Sequence, residues 1–346
     1  MNSFSNSRKS NYGIKFTVLI VIICLSIMPV KVSAALKMER SKMFDISAPA
    51  SELFREKSLK NDTVLQSIAF DHVNRHVYIA QLMSGGQQLP DENNPVSGAK
   101  RAIDGDIALT QLDMQGNILG HMFLKGFGHG VSIGVEIEGS TPYIWMEVDA
   151  VAEGKNGWGT KLTRFPFKQG SHLSSNSPRL DKYELISDAD RTTVNIDMAY
   201  GLLTMRYRIS GQYRLATYSL QQVKKHNYSA ISDIAQPKMG IFQGFASYGR
   251  YIYLLEGAPY GTKGSVKPIG NTYITVVDLI TGKVINKKQI TAGSDLSFRE
   301  PEGMGVYIPN PDAPEKARLY FGFASTISEA NKSKLVSIYG FEDFTS

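Results

Sequence analysis

The chain has 346 residues, of which 42% are hydrophobic and 20% charged, a balance that fits a folded globular protein and excludes disordered and collagen-like classes. Its formal net charge is +6, but Arg8, Lys9, Lys15 and Lys31 face no acidic residue among the first 34, and the remainder holds 34 basic against 32 acidic residues. So mild an excess excludes a general nucleic-acid binder, while leaving room for a polyanion held in one local groove.

Residues 1–34 read as an export signal. Arg8, Lys9 and Lys15 precede the apolar run FTVLIVIICLSIMPV, and KVSA then supplies small residues for cleavage after Ala34. The run is short of the roughly 20 residues that a spanning helix needs, so cleavage is expected rather than retention as an anchor. The single cysteine, Cys24, lies inside it, with Ile23 where a lipid-attachment site would want a small residue. From residue 35 onward there is no thiol, hence no disulfide, thiolate metal site or cysteine nucleophile. An exported chain of this size without disulfides points to the outer face of a bacterial cell.

Residues 35–62 form a lead-in. Within it, SAPASELFREKSL (47–59) offers a Ser cap, an early Pro and Glu52, which predicts a short helix. From Val64 onward, short alternating apolar runs rich in Val, Ile, Tyr and Phe are cut by Gly, Asn and Asp turns. That is the pattern of an all-β chain, taken here as one domain over 63–346.

The strands repeat. VLQSIAFD (64–71), FGHGVSIG (127–134), TTVNIDMAYG (192–201), IFQGFASYG (241–249) and EPEGMGVY (300–307) each open on a polar residue: Gln66, His129, Asn195, Gln243 and Glu302. A second strand follows each, and usually a third. Five such units predict a five-bladed β-propeller, whose radial repetition removes the edge-strand problem. A β-sandwich would leave the five matched openings unexplained.

In a propeller the first strand of each blade lines the axis, so these five residues form a ring at one mouth of the channel. The second strands return to the same face at Gln81, Glu147, Arg206 and Glu256, where the loops 84–104, 149–159, 257–271 and 325–333 gather. Arg299 and Glu300 lie on the approach to Glu302. Trp158, Tyr260, Lys155, Lys263 and Lys267 sit in the long loops, where aromatic platforms beside cations suit a phosphorylated sugar or polyol. Loop aromatics can equally serve as packing anchors.

Other motifs carry less. GVSIG (130–134) matches the G-x-S-x-G elbow of hydrolases, but Val131, Ile133, Val135 and Ile137 alternate through it, placing Ser132 in a strand rather than at a strand-to-helix turn. His72 and His76 fall on a turn, which is a poor metal site. No phosphate-cradling glycine loop or dinucleotide fingerprint is present.

LQSIAFDHVNRHVYIAQ, GDIALTQLDMQGNILGHMFLKGFGHGVSIGVE, FQGFASYGRYIYLLEG and FREPEGMGVY together resemble the exported bacterial family called teichoic acid biosynthesis protein C, over residues 43–341. Its propeller is similar to the head domain of certain phage receptor-binding proteins. The resemblance implies a five-bladed propeller associated with wall teichoic acid, and it supplies no catalytic residues.

The resulting expectation is a secreted or wall-associated, non-catalytic propeller that binds a phosphate-containing wall glycopolymer. Gln66, His129, Asn195, Gln243 and Glu302 would meet hydroxyls, and Arg206, Arg299 and the loop lysines would meet phosphates, with Glu147, Glu300, Trp158 and Tyr260 beside them. No cofactor and no nucleic-acid partner are expected. The alternative is a hydrolase or lyase on the same polymer with Glu302 or His129 as acid or base, with a divalent cation in the channel as an option. Against the cation stands a ring with one carboxylate, because calcium prefers several oxygen ligands. A scaffold for another wall-synthesis protein is a third reading.

Overall fold

The computed structural model describes Met1, Met38 and residues 41–328 and 330–345, so the export signal of residues 1–34 lies outside the described residues except for Met1. Five sheets of four or five strands stand around one axis, all antiparallel except that the outermost strand of blade 1, His172–Ser174, pairs parallel with its neighbour. Their inner strands are Leu65–Asp71, Gly134–Glu138, Asp190–Asp197, Phe242–Tyr248 and Glu300–Tyr307. Each packs against its neighbours in the ring, and the fifth packs against the first. The chain is thus the all-β, five-bladed propeller that the repeats predict.

Blades 2, 3 and 4 run outward in sequence order. Blade 3 pairs Asp190–Asp197, Leu202–Ile209, Gln212–Ser219 and Ser232–Ala235, and blade 4 pairs Phe242–Tyr248, Tyr251–Glu256, Tyr273–Asp278 and Val284–Gln289. Burial follows position: the second strand of blade 4 is buried along nearly its whole length, while its outer strand is mostly exposed. Between blades the sheets bury both faces, which explains the continuous apolar runs of the middle strands. The seam of blades 4 and 5, for example, is filled by Tyr253, Leu255, Val276, Phe321, Phe323 and Tyr339.

Blade 5 departs from the expectation. Its outer strand is Ser51–Ser58, which pairs antiparallel with Lys334–Phe341, so the segment expected as a short helix is a strand that closes the ring. SELFREKS has helix-favouring residues, but backbone pairing and the burial of Phe54 override that local preference. Two register shifts and a positive φ at Glu56 break the alternation that would have revealed the strand. Further in, Phe44 bridges Phe344 and stacks on its ring at 4.6 Å.

Glycines set how closely the inner strands approach. A Cβ on Gly303 (φ 75°) would lie 2.8 Å from Ser67 Cα in blade 1, and one on Gly244 (φ 134°) would lie 3.0 Å from Gly303 Cα. Only glycine fits both the conformation and the space.

Candidate ligand-binding cleft

A cleft of about 980 Å³ opens on the axis and is lined by all five blades. Local irregularities aim its side chains. Four inner strands slip register at this end, at Leu65/Ser67, Asp190/Thr193, Phe242/Gly244 and Glu302/Met304. A bulge bends the strand and turns a side chain out of the ladder, which presents Gln66, Arg191 and Gln243 and sets Glu302 beside the bulged Gly303. Blade 2 lacks a strand here. Gly128 and Gly130, both with positive φ, hold His129 in an irregular segment, and the strand begins only at Gly134. Ser132 therefore precedes the strand rather than lying within it.

One wall is aromatic and cationic. The buried Arg206 guanidinium lies between the rings of Tyr213 and Phe242, 3.9 and 3.8 Å from their centres. Its Nε donates to Gln236 Oε1 at 2.6 Å, and no salt bridge reaches it among the described residues. Burial pulls its pKa down to about 10. Arg191 stacks on Trp158 at 4.0 Å and pairs with Glu153 at 2.9 Å, and Trp158 stacks on His129 at 4.5 Å. Burial, reinforced by Arg191, lowers the His129 pKa to about 4. His129 Nδ1, Trp158 Nε1 and Arg191 Nε are sealed without a hydrogen-bond partner.

The opposite wall carries two buried carboxyl groups, Glu300 and Glu302. Burial pushes Glu302 well above the usual carboxylate range, and the neighbouring Glu300 pushes it further. Glu300 is also raised by burial, against the pull of Lys334. Glu302 is thereby biased toward its protonated, hydrogen-bond-donating form.

Of the expected site residues, Gln66, His129, Gln243, Glu302, Glu300, Arg206 and Trp158 line this cleft. Four do not. Asn195 lies deeper, where its Oδ1 accepts from Ser247 N at 2.9 Å; the ring position of blade 3 belongs to Arg191. Arg299 is buried inside blade 5, with its guanidinium donating to Ala292 O and Ile290 O at 2.8 Å and packing 4.2 Å from the Phe323 ring. Tyr260 covers that arginine, and its hydroxyl donates to Pro268 O at 2.7 Å, with Ser294 O a second acceptor within reach at 3.0 Å. Glu147 is enclosed by Gly130 N and Gly159 N, each donating to it at 2.6 Å. Gln81 and Glu256 are likewise engaged, Gln81 with Thr63 O and Glu256 with Lys287 Nζ. The loop lysines Lys155, Lys263 and Lys267 stand outside the lining.

The sequence reading missed Arg191, Tyr213, Gln236, Phe242 and Lys334. A usable signal existed for Arg191: placing it in the ring instead of Asn195 changes the neighbouring steps from 66 and 48 residues to 62 and 52, a more even repeat. Among the described residues, no group of three or more His, Cys, Asp or Glu side chains is arranged to hold a metal ion. No described helix is long and apolar enough to cross a membrane.

Comparison with known proteins agrees with this architecture. The chain is 29% identical over 318 residues to the Bacillus subtilis (strain 168) protein named "Putative major teichoic acid biosynthesis protein C", covering 89% of this chain and 66% of that one. The chain thus spans just under two thirds of that relative's length. The tail fiber of Staphylococcus aureus phage P68 superposes with a TM-score of 0.67 at 20% identity, over 87% of this chain and 54% of the fiber. Residues 64–340 match the family model described as the phage 5-bladed beta propeller receptor binding platform domain. The match spans every blade, and the chain belongs to that family.

Proposed function

We propose that this protein is an exported, wall-associated and non-catalytic propeller that binds a teichoic acid, a phosphate-containing wall glycopolymer, in its axial cleft. The observation that carries the reading is Arg206: a buried cation held between two rings, with no acid paired to it among the described residues. A phosphodiester would supply the missing charge through charge-assisted hydrogen bonds. Gln66, Gln243 and Glu302 offer contacts to hydroxyls, and Tyr213 offers a ring to the carbon backbone. The name of the Bacillus relative and the receptor-binding description of the family support the same choice of ligand.

The test is the affinity of the chain from Ala35 for purified wall teichoic acid at physiological salt, with polymer length checked afterwards on a gel. Arg206→Ala is expected to weaken binding at least tenfold; unchanged affinity sinks the reading. A hydrolase or lyase is favoured by one feature: burial and the neighbouring Glu300 raise the pKa of Glu302, the direction a general acid needs. Shortened polymer, abolished by Glu302→Gln, would establish that alternative.

A further inference from the structure

The axial cleft does not end at Tyr213 and Gln236. On the outer side of these residues lies a second cavity of about 350 Å³, lined by Gln212, Arg214, Pro237 and Lys238. Tyr213, Gln236 and Met239 belong to both cavities. The strand that forms this outer wall is pinned in place, with Gln236 N donating to Tyr213 O at 3.0 Å. The groove carries two cations, Arg214, which pairs with Asp233 at 3.0 Å, and the exposed Lys238, which has no salt bridge among the described residues.

We infer that an anionic polyol- or sugar-phosphate chain leaves the axial cleft over blade 3, passing Tyr213 and Gln236 to place a following phosphate beside Lys238. This rests on the proposed function and deepens it: the ligand is an extended chain read at two or more consecutive repeats, not a single unit. Arg206 holds one phosphate at the inner end. Gln236 ties the two ends together, since it fixes Arg206 through its Oε1 and lines both cavities. A chain engaged at both ends gains affinity because the second contact is made at high effective concentration.

The experiment compares binding of synthetic glycerol-phosphate oligomers of one and ten repeats to the protein, to Lys238→Glu, and to Lys168→Glu. Lys168 follows the strand Lys161–Pro166 at the end away from the cleft, so it carries the same charge change without the groove. The wild type is expected to bind ten repeats at least tenfold more tightly than one. Lys238→Glu is expected to lose about fivefold on the long oligomer and nothing on the single repeat, with Lys168→Glu matching the wild type on both. No gain with length, or equal losses in the two variants, overturns the track while leaving the axial site standing. Failure of the wild type to bind either oligomer or purified teichoic acid overturns the proposed function and the track with it.

Discussion

The guanidinium of Arg206, on the second strand of blade 3, lies 3.8 Å from the centre of the Phe242 ring, which opens the inner strand of blade 4. A buried cation therefore closes the seam between two blades beside the cleft. Desolvating it without an acid costs free energy that the ring contacts, worth about 1–2 kcal/mol, offset only in part. Arg206→Met is accordingly expected to leave the free protein as stable as the wild type or slightly more so. Arg299→Met should instead cost about 3 kcal/mol, because it strands the carbonyls of Ile290 and Ala292. Urea unfolding of the two variants side by side decides this, and equal losses would contradict it.

Glu147 and His129 act oppositely on stability as pH changes. Burial raises Glu147 to about 7, so its contribution is full below pH 4.5 and is lost as pH rises through 7, a change of about 3 kcal/mol at most. His129 is lowered to about 4, so its contribution is full above pH 6.5 and is lost as pH falls through 4, by up to a similar amount, reduced by the part of the ring open to the cleft. Between pH 4.5 and 6.5 the two largely cancel. Relative to wild type, His129→Asn should gain stability as the solution is acidified across that window, and Glu147→Gln should lose it. Parallel profiles for both variants would refute the assignment.

Gly303→Ala is expected to cost more than 2 kcal/mol, since it combines a positive φ with a contact to the Ser67 backbone that cannot yield. Gly139 also has a positive φ but faces open space, and Gly139→Ala should cost only about 1 kcal/mol. Thermal unfolding of both measures the part due to strand approach alone.

The closing strand is anchored by Phe54, which is 5% exposed. Phe54→Ala should destabilise the whole propeller by about 3–4 kcal/mol. Limited proteolysis should then cut within residues 51–58 before any other blade is attacked. Protection equal to the wild type would show that the strand is dispensable.

The five polar openings made the blades legible because each inner strand must change from a wet mouth to a dry core within a few residues. Gln66, Gln243 and Glu302 were found for that reason. Asn195 was mistaken for a ring residue because the bulge between Asp190 and Thr193 shifts the blade 3 pattern, and a bulge leaves no mark in composition. Arg299 looked like a phosphate ligand because nothing nearby in sequence announces the carbonyls of Ile290 and Ala292 that enclose it. The aromatic walls around Arg206 were hidden for a related cause: Phe242 reaches it across a blade boundary, and such contacts are set by packing rather than by spacing. Ser51–Ser58 reads as a helix locally and becomes a strand only through a partner at the far end of the fold.

That partner lies very distant along the chain. Glu56 N donates to Ser337 Oγ across 281 positions, so the strand Ser51–Ser58 cannot be satisfied during synthesis until Lys334–Phe341 has followed. Contacts of such range make folding slow. Until the ring closes, Ser51–Ser58 and Lys334–Phe341 are both open edges able to pair with the wrong neighbour. The clasp that makes the finished propeller a closed body thus makes its assembly a race between closure within one molecule and exchange between two, and dilution should favour the former.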